Sequence, residues 1–214
     1  MTNWIPLHVH SHYSLLDGLS RPKQIADRCV ELGYTSCAIT DHGTISGAVS
    51  FTQAMKSSDI KPILGCEFYL TEDLSVKDKN KRSLSHLVVL AKNKKGWQCL
   101  IEATSASNDA DNYYFKPRLD LSTLGKYASG KNLIAFSGHV GSDMANVLFD
   151  DWRSAYNSSS YDEAKSHLSK DWEEKATALA RRHEEIFGGG NFFLEIQLID
   201  KENMPVAEVI AKGL

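Results

Sequence analysis

HVHSHYSLLDG, residues His8 to Gly18, is the stretch on which the reading of this chain turns. It sets three imidazoles, His8, His10 and His12, at alternate positions, and a carboxylate, Asp17, further along. In an extended strand successive side chains point to opposite faces, so this alternation starts the three rings on one side of a sheet. Imidazole is the commonest protein metal ligand, and a His-x-His pair at a strand end brings two nitrogens to one ion at little backbone cost. The stretch predicts a metal-binding strand end. The plainer alternative is a polar strand with coincidental histidines, and the rest of the chain argues against it.

Outward from that stretch, strands and helices alternate. Trp4 to His8 reads as the first strand, followed by a helix opened by Ser20, with Pro22 in its first turn and Gly33 at its end. A compact apolar strand, Ser36 to Asp41, runs straight into His42 and Gly43. A helix over Ser46 to Ser57 precedes a third strand, Pro62 to Leu70, which contains Glu67. A carboxylate within so apolar a strand is costly to bury unless it is paired or bound to a cation, so Glu67 marks a site unless it faces outward. The fourth strand, Leu84 to Lys92, carries His86 ahead of an apolar run, and a helix follows from Lys94 to about Ser105. The fifth, Asn132 to Ser137, leads into Gly138 and His139. One long helix is expected from Asp162 to Phe187, stopped by Gly188 to Gly190, with His167 and His183 as ordinary surface or boundary residues. A sixth strand, Asn191 to Ile199, and a helix beginning near Val206 complete the chain.

Two segments break this rhythm. The charge-rich stretch Glu72 to Ser83 holds Lys77, Lys79, Lys81 and Arg82, and reads as a solvated loop or hairpin, with a hold on a nucleic-acid backbone as its rival reading. The segment Asn112 to Arg118, NYYFKPR, admits two readings equally. It is either a stacking and phosphate-contacting loop, with Lys116 and Arg118 orienting a phosphate, or a loop pinned by its own aromatics.

Composition bounds the class. With 214 residues, 42% of them hydrophobic and 24% charged, the chain suits one globular domain, residues 1–214. A net charge of −3 gives no global attraction to nucleic acid. Cys29, Cys37, Cys66 and Cys99 are widely spaced in apolar surroundings, which suggests buried thiols in a reducing cytoplasm. No stretch has the apolar length of a membrane span, so the protein is expected to be cytoplasmic and to have no membrane partner.

The alternation implies an α/β architecture with a largely parallel sheet, open or closed into a barrel. In such folds reactive groups gather where strands end, which would unite His8, His10, Asp17, His42, Glu67, His86 and His139 on one face. So many nitrogen and oxygen donors exceed the needs of one tetrahedral ion and imply two or more. Two ions roughly 3.5–4 Å apart suit the hydrolysis of phosphoesters, and hydrolysis of amides or other esters is also permitted.

HVHSHYSLLDG, ITDHG at 39–43, KPILGCEFYL at 61–70, HLVVLAKN at 86–93, YYFKPRLD at 113–120 and FFLEIQ at 192–197 together resemble the PHP (polymerase and histidinol phosphatase) domain of the DNA polymerase III alpha subunit family. The resemblance covers nearly the whole chain. It implies a distorted seven-stranded (β/α) barrel, here lacking most of its last β/α unit, and two or three divalent ions: zinc, manganese or iron. It further implies His8 and His10 on one ion, Asp17 and His42 on another, Glu67 bridging, and His86 and His139 toward a third. His12 matches no ligand position, and Asp41 would steady His42 or a nearby cation. An Asp-x-His on the seventh strand has no counterpart, which suggests a fragment of a longer polymerase. The implied activity is metal-dependent phosphodiester hydrolysis of the 3′–5′ exonuclease, proofreading type, with Glu67, Asp41 and Arg118 in its machinery. DNA ends and the remaining polymerase or replisome components are the implied partners. An inactive bracing module and a small-molecule phosphatase are the alternatives.

Overall fold

The sheet assembles around one long strand, β2 (Lys61–Leu70), whose last six residues are all buried. The computed structural model describes residues 4–78, 84–128, 130–197 and 204–213. β2 pairs in parallel with β1 (Ser36–Ile39) and with the two-residue β4 (Arg118–Leu119). Its other main neighbour is β3 (Ser85–Ala91), which runs antiparallel both to β2 and to β5 (Leu133–Phe136). The parallel β6 (Phe192–Phe193) ends the path, so the order is β1-β2-β3-β5-β6 with β4 beside β2.

The expected largely parallel sheet is thus corrected at β3. Two parallel neighbours need a crossover connection, usually a helix, and the described residues between β2 and β3 hold none. The reversal matters for the site, because it carries the beginning of β3 to the end of β2, where Tyr69 faces His86.

Both faces of the sheet are apolar. On the outer face Cys66, Phe68, Leu87, Val89 and Leu133 lie under α3 (Lys94–Ser107), α4 (Leu121–Ala128) and α8 (Trp172–Phe187). At one edge α1 (Pro22–Leu32) and α2 (Ala48–Ser57) cover Cys37 and Ile39 with Ile25, Cys29, Phe51 and Met55. On the inner face Ala38, Val88 and Leu90 meet Leu7, Ile63, Ile134 and Phe136. The period of two along β3 divides the residues cleanly, and His86, in phase with Val88 and Leu90, belongs to the inner face. Cys29, Cys37 and Cys66 are buried free thiols.

Three expected elements differ. The strand expected at Trp4 to His8 is irregular chain, although it lies along β1 through Ala38 N–H to the Pro6 carbonyl (2.9 Å) and Thr40 N–H to the Val9 carbonyl (2.8 Å). The Val9 N–H goes to Thr40 Oγ1 (2.9 Å) and the Ser11 N–H to Asp41 (2.6 Å), so side chains take donors that a regular ladder would use. The single helix expected from 162 to 187 is two, α7 (Tyr161–Ser166) and α8. Between them the Ser169 N–H bonds to the Leu148 carbonyl at 2.9 Å, anchoring the break to the end of α5 (Asp143–Val147), while α6 (Trp152–Tyr156) and α9 (Pro205–Gly213) pack beside α7. The sixth strand shortens to two residues, and the end expected for it at 198–199 lies outside the described residues.

Candidate metal centre

Backbone pairing, more than any one motif, gathers the site. The β1–β2 register places Ile39 beside Leu64, and the same offset continues past the end of β1 to pair His42 with Glu67. Glu67 N–H bonds to the Asp41 carbonyl (3.1 Å) and Gly43 N–H to the Glu67 carbonyl (2.8 Å). Gly43 sits in the left-handed region, φ 61°, which glycine enters without steric cost. On the other side Glu67 pairs with Val88, so its side chain shares the inner face with His86. His139 follows β5, and the isolated bridge between His86 and Ser142 draws that loop to the same place.

Glu67, 1% exposed, lies at the centre of five imidazoles. Its Oε1 is 3.5 Å from His8 Nε2, 3.1 Å from His86 Nδ1 and 3.2 Å from His139 Nε2. Its Oε2 is 3.2 Å from His10 Nε2 and 2.6 Å from His42 Nδ1. Asp17, largely exposed, contacts the other nitrogen of His42. Ring nitrogens also face one another, His8 Nε2 to His10 Nε2 at 3.1 Å and His139 Nε2 to His86 Nδ1 at 3.0 Å.

Such a cluster carries its own electrostatic signature. Burial works against the Glu67 carboxylate, but the surrounding imidazoles prevail and hold it far below the usual carboxylate range. Burial likewise disfavours protonated His8, yet Glu195 and Glu67 outweigh it and raise its pKa to about 9. His42 is raised in the same contest by Glu67 and Asp17, whereas His86 is lowered, because burial there is not overcome.

The donors fit a divalent metal. His8, His10 and Glu67 form one group of mutually close ligand atoms, and His42, Glu67 and His86 another. The buried His42 Nδ1 and Glu67 Oε2 are close enough to touch, yet neither has a hydrogen-bond partner. Two polar atoms so placed and so misaligned suit lone pairs aimed at a common third atom rather than at each other. Neutral nitrogens with carboxylate oxygens are a donor set for zinc, manganese or iron.

The remaining predicted residues fall in three places. His12 is exposed and lies against Tyr13, because the chain leaves its extended course at Ser11. Asp41, 1% exposed, makes that turn: it accepts Ser11 N–H (2.6 Å), Ser11 Oγ (2.9 Å) and Ser14 Oγ (2.8 Å). Ser14 Oγ in turn lies 3.3 Å from His10 Nδ1 and accepts the His42 N–H at 3.1 Å, so Asp41 supports both rings through Ser14 and touches neither. Arg118 is a correction. Its fully buried guanidinium donates to the carbonyls of Asn112 (3.0 Å), Val76 (2.9 Å) and Leu74 (3.0 Å), an internal tie between two loops and not a phosphate contact. Lys116 lies nearer the chemistry, with its ammonium 3.3 Å from the Tyr69 hydroxyl and that ring stacked against His42. His183 is also corrected: it is fully buried, 3.0 Å from Asp143 and stacked on Phe192, where it ties α8 to α5 and β6. Lys77 donates to the Ala110 carbonyl, while Lys79, Lys81 and Arg82 lie outside the described residues.

Glu195 was not foreseen. Its Oε1 lies 2.8 Å from His8 Nδ1, which Gln197 also approaches at 3.1 Å, and this fixes which ring nitrogen His8 turns toward Glu67. The signal was available, since Glu195 follows an apolar strand as His42 and His139 do.

A buried carboxylate ringed by histidines from strand ends and loops gives this α/β domain a cluster that could hold metal ions. The family described as PHP domain matches residues 6–198, and the chain belongs to it. Its relatives include DNA polymerase III subunit alpha of Chlamydia pneumoniae, 39% identical over 67% of this chain and 12% of the relative. The same subunit of Helicobacter pylori (strain ATCC 700392 / 26695) is 35% identical over 89% of this chain and 14% of the relative. That of Treponema pallidum is 32% identical over 91% and 15%. The chain therefore spans about a seventh of these relatives' length. Among the described residues no helix is long and apolar enough to cross a membrane.

Proposed function

We propose that this chain is a metal-dependent phosphoesterase domain that removes nucleotides from the 3′ end of a DNA strand, as a proofreading component of a polymerase III alpha-like protein. The observation that carries the reading is the convergence of His8, His10, His42, His86 and His139 on the single buried carboxylate of Glu67. Divalent ions, if held there, would supply a Lewis acid able to activate water and neutralise charge on a phosphate. His8, His10 and Glu67 would hold one ion, and His42, Glu67 and His86 a second, with Asp17 and His139 completing the ligation. Glu195 keeps the His8 ring in place, Asp41 keeps the His10 to Ser14 turn, and Lys116 supplies a cation to a phosphodiester in the adjoining cleft.

The test is incubation of the purified chain with manganese and a 5′-labelled single strand. Stepwise shortening from the 3′ end, abolished by Glu67→Gln, is expected. Absence of cleavage at full metal occupancy, established by elemental analysis, sinks the reading. A second reading is a metal-stabilised module that braces a larger polymerase, of the kind its relatives' name describes. It predicts metal binding without turnover.

A further inference from the structure

Tyr69 follows Glu67 by two positions in β2, so its side chain stands on the same face of the sheet, at the rim of the metal centre. The ring is buried and held on three sides. It stacks on His42 with 5.9 Å between centroids, meets His86 edge-on at 5.0 Å, and closes over Gly43, where a Cβ would fall 3.2 Å from its Cδ2 and Cε2. The phenol oxygen is thereby fixed in direction.

That oxygen lies 3.3 Å from the Lys116 ammonium. An ammonium has no lone pair, so in this contact Lys116 donates and the Tyr69 oxygen accepts. The hydroxyl hydrogen is left over, and among the described residues no group accepts it. Lys116 in turn forms no ion pair among the described residues, and its turn is braced by the Tyr114 N–H bonded to its own carbonyl at 3.2 Å. Both groups line a cleft of about 600 Å³ that His42 also borders, within the range of small-ligand sites, and no carboxylate is among its lining residues. A spare O–H and an unneutralised ammonium, set side by side, suit an oxyanion.

We infer that the Tyr69 hydroxyl and the Lys116 ammonium form one oxyanion site, which takes an oxygen of a phosphate group entering the cleft. Lys116 supplies the charge and Tyr69 the direction. The inference rests on the phosphoesterase reading only for the choice of phosphate over another oxyanion. Nothing in it requires a bond to be cleaved.

The test is therefore binding of inorganic phosphate, followed by isothermal titration calorimetry on the manganese-loaded chain. Tyr69→Phe removes the hydroxyl and keeps the ring against His42 and His86. A hydrogen bond to a charged group is worth roughly 10- to 150-fold in Kd, and the variant should bind phosphate more weakly by a factor in that range. Its manganese content by elemental analysis should equal that of the wild type, which separates a lost donor from displaced histidine rings. Lys116→Met should weaken phosphate binding as well, again with manganese retained. Either variant binding phosphate as tightly as the wild type, or losing manganese along with phosphate, overturns the inference, as does a wild-type chain that binds no phosphate. Hydroxyl-dependent phosphate binding by a chain that cleaves no DNA sustains it and removes the exonuclease reading instead.

Discussion

At the scale of single residues, Glu67 decides the chemistry. Replacing it by Gln removes the charge that five imidazoles share, and nothing else in the cluster lies within reach of them all. Glu67→Gln is expected to lose bound metal by elemental analysis and to reduce hydrolysis to background. Glu195 acts one step further out. Its truncation to Ala should weaken metal binding by roughly 10- to 100-fold, the range for groups that orient a ligating histidine, and should also lower the melting midpoint of the metal-free chain where His8 is protonated, since Glu195 is its nearest counter-charge. His8 supplies a pH dependence. Its pKa is about 9 in the fold against ~6.5 in an unfolded chain, so its contribution to stability is fully present below ~6.5 and is lost as pH rises through about 9. The metal-free chain should therefore melt at progressively lower temperature between those values. Saturating zinc, which binds the neutral ring, should flatten the slope, and a metal-free midpoint that rises over the interval would contradict the assignment.

Elements explain what the sequence disclosed and what it hid. His8, His10, His42, Glu67, His86 and His139 were legible because each interrupts or terminates an apolar run, and strand ends converge whatever the topology. β3 was legible as a strand but not in direction, since its direction is set by its pairing with β2 and β5 and no pattern within the strand itself reports that. Arg118 was misread because a basic residue among aromatics looks the same from sequence whether it faces a phosphate or a row of carbonyls. Its burial belongs to the packing of the 71–78 and 112–118 loops, separated by some forty residues, and no local pattern reports that. Arg118→Met should leave those three carbonyls unsatisfied and cost about 3–5 kcal/mol, lowering the melting midpoint by roughly 6–20 °C. A variant that melts with the wild type would return Arg118 to the list of solvent-facing cations. Gly18 is a smaller case of the same kind: a Cβ there would lie 1.9 Å from the Ser11 carbonyl oxygen, inside the turn that presents His10 and Asp17.

Across the whole molecule the centre joins parts of the chain that the sheet alone leaves apart. The N-terminal segment lies along β1 at one edge of the sheet, while Glu195 follows β6 at the other, and His8 touches both Glu67 and Glu195. Metal should therefore stabilise the entire domain: at a thousandfold excess over Kd the gain is about 4 kcal/mol, or roughly 8–16 °C in melting midpoint, reversed by a chelator. A chelator that leaves the midpoint unmoved would separate the centre from the stability of the fold.

The reversed strand bears on how this molecule is made. β2 and β3 are consecutive and antiparallel, so their pairing forms from neighbouring stretches of chain, with a small loop to close. His8 and Glu195, by contrast, stand 187 positions apart, and their meeting closes almost the entire chain. Glu67 is therefore expected in the earlier pairing and His8 in the later contact, so that hydrogen-exchange protection during refolding should appear along β2 and β3 before it appears around His8. A metal ion present during folding would on that order encounter first a partial site of Glu67, His42 and His86, and would gain the rest of its ligands only when the segments of His8 and Glu195 meet.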